Sequence, residues 1–254
     1  MELTILVMSC DKYYDTWKPF ITCFRKYFPA CPYQVVLSTE NNCTGEDLAF
    51  DCIIYSDKEE WSARLKETLS KIDSEYVFML LDDFWFYDYI DITMFQRDYK
   101  YIRTHENIGT IYVNYEAWRF LRNYNSDYYE WKKGNIYRAN TRPAFWKKEY
   151  LEKILNNSEN VWQFERIASD RTNFTEYVVL CSKKQYLSYI YAVTAGKYEK
   201  AAVELACKEG VALNTEYRKK RNIFENIYLA FRSKIFKIAP ENLTHLKMKI
   251  EGRK

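Results

Sequence analysis

Apolar residues in the first third of the chain follow two alternating patterns. Glu2 to Ser9 (ELTILVMS) is a short run of β-formers, while Trp17, Phe20, Ile21, Phe24 and Tyr27 recur at helical spacing over Tyr14 to Tyr27. The spacing predicts a strand leading into a helix that Pro29 and Pro32 stop, then strands at Tyr33 to Ser38 and Cys52 to Tyr55. Trp61, Leu65, Leu69 and Ile72 fall on one face of a helix over Glu60 to Ile72. Glu75 to Leu81 (EYVFMLL) is apolar almost throughout, as a strand buried on both faces of a parallel sheet requires.

Beyond it the pattern predicts a helix at Asp91 to His105, a strand at Ile108 to Val113, and an extended stretch at Ile136 to Phe145. Helices follow at Lys147 to Leu155 and Val161 to Ala168, strands at Tyr177 to Cys181 and Leu187 to Val193, and a helix at Lys197 to Cys207 ended by Gly210. Asn214 to Phe236 and Asn242 to Ile250 read as a helical tail. There is no internal repeat or low-complexity linker. The expected architecture is one α/β domain over 1–212, with a mixed, Rossmann-like sheet flanked by helices, and a basic helical extension over 213–254.

The chain has 254 residues, of which 48% are hydrophobic and 29% charged, a globular composition without a disorder signature. Aromatic residues reach 18%, a supply of flat amphipathic faces that an AT-rich genome would also produce. Seven cysteines with no C-x-x-C spacing and two histidines indicate neither a disulfide framework nor a zinc site. The apolar start has no basic region before it and no run approaches a membrane span, so the expectation is a reduced, cytoplasmic protein. The formal charge of +3 is uneven: from Arg218 onward eleven Lys and Arg face three Glu, leaving the preceding part net acidic. That distribution suits a membrane surface or acidic partner better than a nucleic-acid groove running through the fold, so no nucleic-acid partner is expected.

Candidate chemistry centres on MLLDDFWF, where Asp82 and Asp83 end a predicted central strand. Ligands bind beyond the carboxyl ends of strands in open α/β sheets, and a carboxylate beside a core needs compensation. Such a pair suits Mg²⁺ or Mn²⁺ bridging to phosphate oxygens; it also suits a helix cap or an ion pair with a basic residue. The same placement marks Ser9, Cys10 and Asp11 at the end of the first strand.

Five segments taken in order, SCDKYYDTWKPF from Ser9, WSARL from Trp61, EYVFMLLDDF from Glu75, RPAFWKKEYL from Arg142 and NVWQFE from Asn160, resemble bacterial GT-A-fold glycosyltransferases of surface-polysaccharide synthesis. The resemblance covers most of residues 1–210. It implies a nucleotide-sugar donor bound by the first half and a glycan or lipid-linked glycan acceptor shaped by the second. On it, MLLDDF takes the place of the DxD motif, with Asp83 on the metal and Asp82 facing the donor; the usual first acidic position is Leu81 here. Glu165 takes the place of the general base of an inverting enzyme, a solvated helix glutamate or a retaining mechanism being the alternatives. Ser9, Asp11 and Arg64 would hold the base or ribose, or else serve as caps and surface pairs. Lys197 would meet the diphosphate at a helix N-terminus, although a solvated lysine is the commoner outcome. Trp146 and Trp162 would stack on an acceptor sugar, although burial is the commoner fate of a tryptophan.

Ile223, Ile227, Phe231 and Ile235 form an apolar stripe among cations in the tail, fit either for peripheral contact with the inner face of a membrane or for packing on the core or a second subunit. Two rival functions remain. A nucleotidyltransferase also uses strand-end aspartates and a metal, but no glycine precedes Gly45 to form its phosphate loop. A noncatalytic sugar-binding or scaffold protein on the same fold would bind ligand without turnover.

Overall fold

Two apolar faces explain the strand sequences. In the computed structural model, which describes residues 3–41, 48–113, 120–222 and 225, β1 (Leu3–Met8) and β4 (Tyr76–Leu81) alternate between two separate cores. Ile5, Val7, Phe78 and Leu80 join the first core; Leu6, Met8, Val77 and Met79 join the second. A strand with apolar neighbours on both sides reads as a continuous run rather than an alternation.

The main sheet has nine strands. β1 pairs in parallel with β2 (Gln34–Thr39) and β4, and β2 with β3 (Cys52–Tyr55). Beyond β4 and the short β5 (Phe84–Phe86) lie β6 (Ile108–Tyr112), β7 (Leu121–Asn123), β8 (Tyr128–Trp131), β9 (Ala144–Lys147) and β10 (Val178–Ser182). These complete the order β3-β2-β1-β4-β9-β6-β10-β8-β7, in which β9 runs antiparallel between β4 and β6. The expected mixed sheet flanked by helices is therefore present.

The helix α1 (Tyr14–Tyr27) buries Trp17, Phe20, Phe24 and Tyr27 on the first core, beside Phe95 and Ile102 of α3 (Ile92–Thr104). Asp91 caps α3 by accepting from the Thr93 and Met94 amides. The opposite face is covered by α2 (Trp61–Ser70) and α4 (Lys148–Ile154).

Three expectations change. The short β5, β7 and β8 carry too few residues for a period to show. Residues expected to begin a helix at Lys197 instead form a hairpin, β12 (Val193–Thr194) with β13 (Lys197–Tyr198), following β11 (Tyr189–Tyr191). Ala195 and Gly196 at its tip have φ of 50° and 75°, the positive pair of a primed two-residue turn. The helix α5 (Val161–Gln163), the one-turn α6 (Ser169–Arg171) and α7 (Lys200–Lys208) complete the helices, so α7 starts three residues later than expected. Residues 214–222 are not the start of a helix: Asn214 to Arg218 turn, and Lys220 bridges to Tyr198. The tail stripe from Ile223 lies outside the described residues. No helix among the described residues is long and apolar enough to cross a membrane.

Candidate active site

The strand β4 ends at Leu81, and a two-residue turn of Asp82 and Asp83 passes into β5. The two carboxylates take opposite courses. Asp82 is buried, and its Oδ2 accepts from Ser9 Oγ at 2.5 Å and Thr16 Oγ1 at 2.9 Å, while Trp17 Nε1 donates to Ser9 Oγ at 2.6 Å. Burial pushes the Asp82 carboxyl up to about 7, against the pull of those two hydroxyls. The Asp82 and Ser9 side chains thus hold each other, and neither is part of the cavity wall that Asp83 lines. Asp83 lines a cavity of about 320 Å³, and its Oδ1 is buried with no hydrogen-bond partner. Burial raises the Asp83 carboxyl well above its ordinary range; Asp82, and more weakly Glu165, push the same way.

Glu165 lines the same cavity although 82 positions separate it from Asp83. A capping box, in which Asn160 accepts from the Gln163 amide and Gln163 from the Asn160 amide, starts α5. The chain then widens into a π-helical turn at Phe164–Ala168. Phe164 enters the second core against Trp61, with ring centroids 5.2 Å apart, while Glu165 turns to the cavity. The Thr141 amide and hydroxyl both donate to Glu165 Oε1, at 2.9 and 2.7 Å. Arg138, 1% exposed, steadies the loop carrying Thr141 by donating to the carbonyls of Trp131, Thr172 and Tyr177.

The rest of the cavity wall includes Trp131, Tyr137, Asn140, Arg142 and Tyr191. The extended stretch around Arg142-Pro143 was the sequence signal for part of this wall; Trp131 and Tyr191 gave none. Tyr137 has φ of 57°, a strained conformation for a bulky side chain, directly at the cavity.

The other expected residues divide by environment. Asp11, at the end of β1, accepts from Thr39 Oγ1 and from the Asn41 amide and side chain, while its own amide donates to Glu40. Arg64 is buried, ion-paired to Glu40 at 2.8 Å and donating to the Lys58 carbonyl. These residues gather at the carboxyl ends of β1 and β2, beside the aspartates. Trp146 is fully buried against Tyr112 and Tyr150, so it has no face for a sugar. Trp162 is 63% exposed at the start of α5. Lys197 sits in the β12–β13 hairpin, three residues before α7, ion-paired with Glu225, and is not part of the cavity wall.

No group of three or more His, Cys, Asp or Glu gathers among the described residues. The residues fit a divalent cation in one way: Asp83, with its unsatisfied buried oxygen, as protein ligand, and water and ligand oxygens completing the shell.

No family model and no curated protein matches the chain. Solved structures of similar course include S. aureus TarS 1-349 in complex with UDP-GlcNAc, at 12% identity and TM-score 0.46, over 78% of this chain and 60% of that one. A cytidylyltransferase from Leptospira borgpetersenii serovar Hardjo-bovis matches at 12% identity and TM-score 0.47, over 88% and 99%. CMP:2-keto-3-deoxy-manno-octonic acid synthetase complexed with CTP matches at 11% and 0.42, over 74% and 94%. This chain therefore spans 60% of the length of that TarS fragment. At such identities and scores the likenesses assign no activity.

Proposed function

We propose that the protein is a nucleotide-sugar-dependent glycosyltransferase that moves one sugar to a glycan acceptor with inversion. The observation that carries the reading is the meeting of Asp83 and Glu165 on one cavity at the carboxyl edge of the sheet, the first with a buried carboxylate oxygen that accepts no hydrogen bond, the second held by a fixed pair of donors. Thr141 occupies Oε1 of Glu165, which leaves Oε2 to accept a proton. As that oxygen takes the acceptor hydroxyl proton, the hydroxyl oxygen bonds to the anomeric carbon. The bond from that carbon to the diphosphate oxygen breaks on the opposite face, and the nucleoside diphosphate leaves with the electron pair. A Mn²⁺ or Mg²⁺ ion, when bound, would neutralise charge on that leaving group. Asp83 would hold it, beside an Asp82 fixed by Ser9 and Thr16. Asp11, Glu40 and Arg64 border the same edge, where a nucleoside would lie. A lipid-linked acceptor, peripheral membrane contact and self-association belong to this reading as expectations about the partners.

A ligand that binds only the native state raises its stability, so the donor class can be found without the acceptor. The test is thermal stability with a panel of nucleoside diphosphates, nucleotide-sugars and nucleoside triphosphates, with and without Mn²⁺, on wild type and Asp83→Ala. The expected result is a metal-dependent shift with one nucleoside diphosphate and its sugar, lost in Asp83→Ala. A shift with triphosphates alone would transfer the assignment to nucleotidyl transfer, and no shift at all would leave a noncatalytic fold. With the donor identified, Glu165→Gln should keep donor binding and lose turnover by roughly a hundredfold or more.

A further inference from the structure

Arg218 comes 203 residues after Asp15 and closes on it with both sides of its fork, Nε and Nη2 donating to Oδ2 and Oδ1 at 2.8 Å each. Nη2 also donates to the Lys12 carbonyl at 2.7 Å. The guanidinium lies 4.4 Å from the Tyr13 ring centre, with the Tyr198 and Tyr217 rings at 5.7 and 5.9 Å. Tyr198 adds a 2.5 Å hydrogen bond to Asp15 Oδ2, and the Tyr217 hydroxyl donates to the Lys12 carbonyl at 3.2 Å. Residues 12–15 are thus fastened by side chains that all come from beyond α6, two of them from beyond residue 212.

What is fastened matters to the site. Residues Asp11–Tyr13 form the turn that leaves β1, and the next residue after Asp15 is Thr16, which donates to Asp82. Burial pushes the Tyr13 phenol up to about 12, with Asp83 and then Asp82 adding to the shift, so the ring under Arg218 lies within electrostatic reach of the pair. The Arg218 side chain is 6% exposed and the Asp15 side chain 1%, so water does little to loosen the fork.

We infer that Arg218 is a positioning residue for the aspartate pair: it fixes the turn after β1 and the start of α1 in the arrangement that keeps Asp82 down and Asp83 facing the cavity. Residues 213–222 are then part of the donor half of the molecule rather than an appendage to it. The consequence for donor binding rests on the glycosyltransferase reading; the positioning itself does not. A lysine keeps the charge but has no planar fork to span both carboxylate oxygens, which separates geometry from charge.

Hydrogen exchange on the full chain, with no ligand, tests the positioning in wild type, Arg218→Lys and Arg218→Ala. Amides of Asp11 to Trp17 should exchange roughly tenfold faster in Arg218→Ala, and faster also in Arg218→Lys, while those of α3 keep their wild-type protection. Equal acceleration of both regions, or of neither, would overturn the inference; if the alanine variant does not fold, the lysine variant decides alone. Affinity for UDP and for GDP, each with Mn²⁺, then tests the consequence: it should weaken roughly tenfold in Arg218→Lys and stay at the wild-type value in Arg97→Ala, whose damage lies elsewhere. Equal weakening in both variants would reduce Arg218 to a stability role. Should wild type bind neither diphosphate, the glycosyltransferase reading loses its support, and the exchange data alone decide whether Arg218 positions the pair.

Discussion

Buried carboxylates in this molecule are treated in two ways. Asp98 accepts at one oxygen, Oδ1, from Arg97 Nη2 and Nε at 2.7 and 3.0 Å and from the Tyr128 hydroxyl, Glu159 receives the Arg171 fork at 2.6 and 2.5 Å, and Asp15 receives Arg218. Each has its own cation. Asp82 is equally dry and its neighbour Asp83 half-buried with one oxygen fully enclosed, and the hydrogen bonds reaching the Asp82 carboxylate come from neutral hydroxyls. A paired carboxylate is finished in charge by its own cation, even where, as at Asp98 Oδ2, a buried oxygen lacks a hydrogen bond; Asp82 and Asp83 feel the charge of Arg218 without an ion pair of their own, which raises the cost of the native state until a cation arrives. On the proposed function, the difference separates carboxylates that hold the fold from the one, Asp83, that would hold a cation.

That contrast can be broken most severely at a finished pair. Arg97→Ala strands the Asp98 charge in the core and should cost about 3 kcal/mol, read as a lower denaturant midpoint with nucleotide affinity unchanged. The unfinished pair should respond to pH instead. The Asp82 carboxyl is pushed up from its ordinary 3.8 to about 7, so between those values the native state holds more protons than the unfolded chain. Stability should therefore fall as pH rises, Asp82 contributing about 2 kcal/mol of the fall between about pH 5 and about pH 7 in metal-free protein; Asp83, raised as well, adds to it, so Asp82→Asn should make the profile shallower, and an unchanged profile would reject the assignment.

Smaller effects sharpen the comparison. Ser9→Ala removes one donor from Asp82 and leaves Trp17 Nε1 without its acceptor, for a loss of about 1.5 kcal/mol measurable by chemical denaturation. Asp83→Asn should act in the opposite direction, raising metal-free stability at alkaline pH by about 1 kcal/mol while abolishing any Mn²⁺-dependent shift. A destabilised Asp83→Asn protein would mean that Asp83, too, is finished by the chain.

Local periodicity carried much of the fold. The alternation of apolar runs and helical spacings up to Leu81 placed β1, α1, β2, β3, α2 and β4, and with them Asp82 and Asp83 at a strand end, because burial on two faces or on one leaves a different repeat in the sequence. It did not carry β5, β7 and β8, too short for a repeat, or the β12–β13 hairpin, whose positive-φ turn overrode an apparent helix start. Trp146 shows the same limit for a side chain: its aromatic character suited a sugar platform, and the register of β9 between β4 and β6 enclosed it on every side.

By itself, then, the sequence determined the layered α/β class, the strand-end address of the aspartates and the helical address of Glu165. Only the tertiary structure decided that Asp82 turns inward and Asp83 outward, that Glu165 reaches the same cavity, and that Arg218 secures Asp15 from the far end of the chain. The physical reason is range. Periodicity reports what a residue's immediate neighbours must bury, whereas the pairing of charges and the walls of a cavity are set by strand order and register between segments tens to hundreds of residues apart.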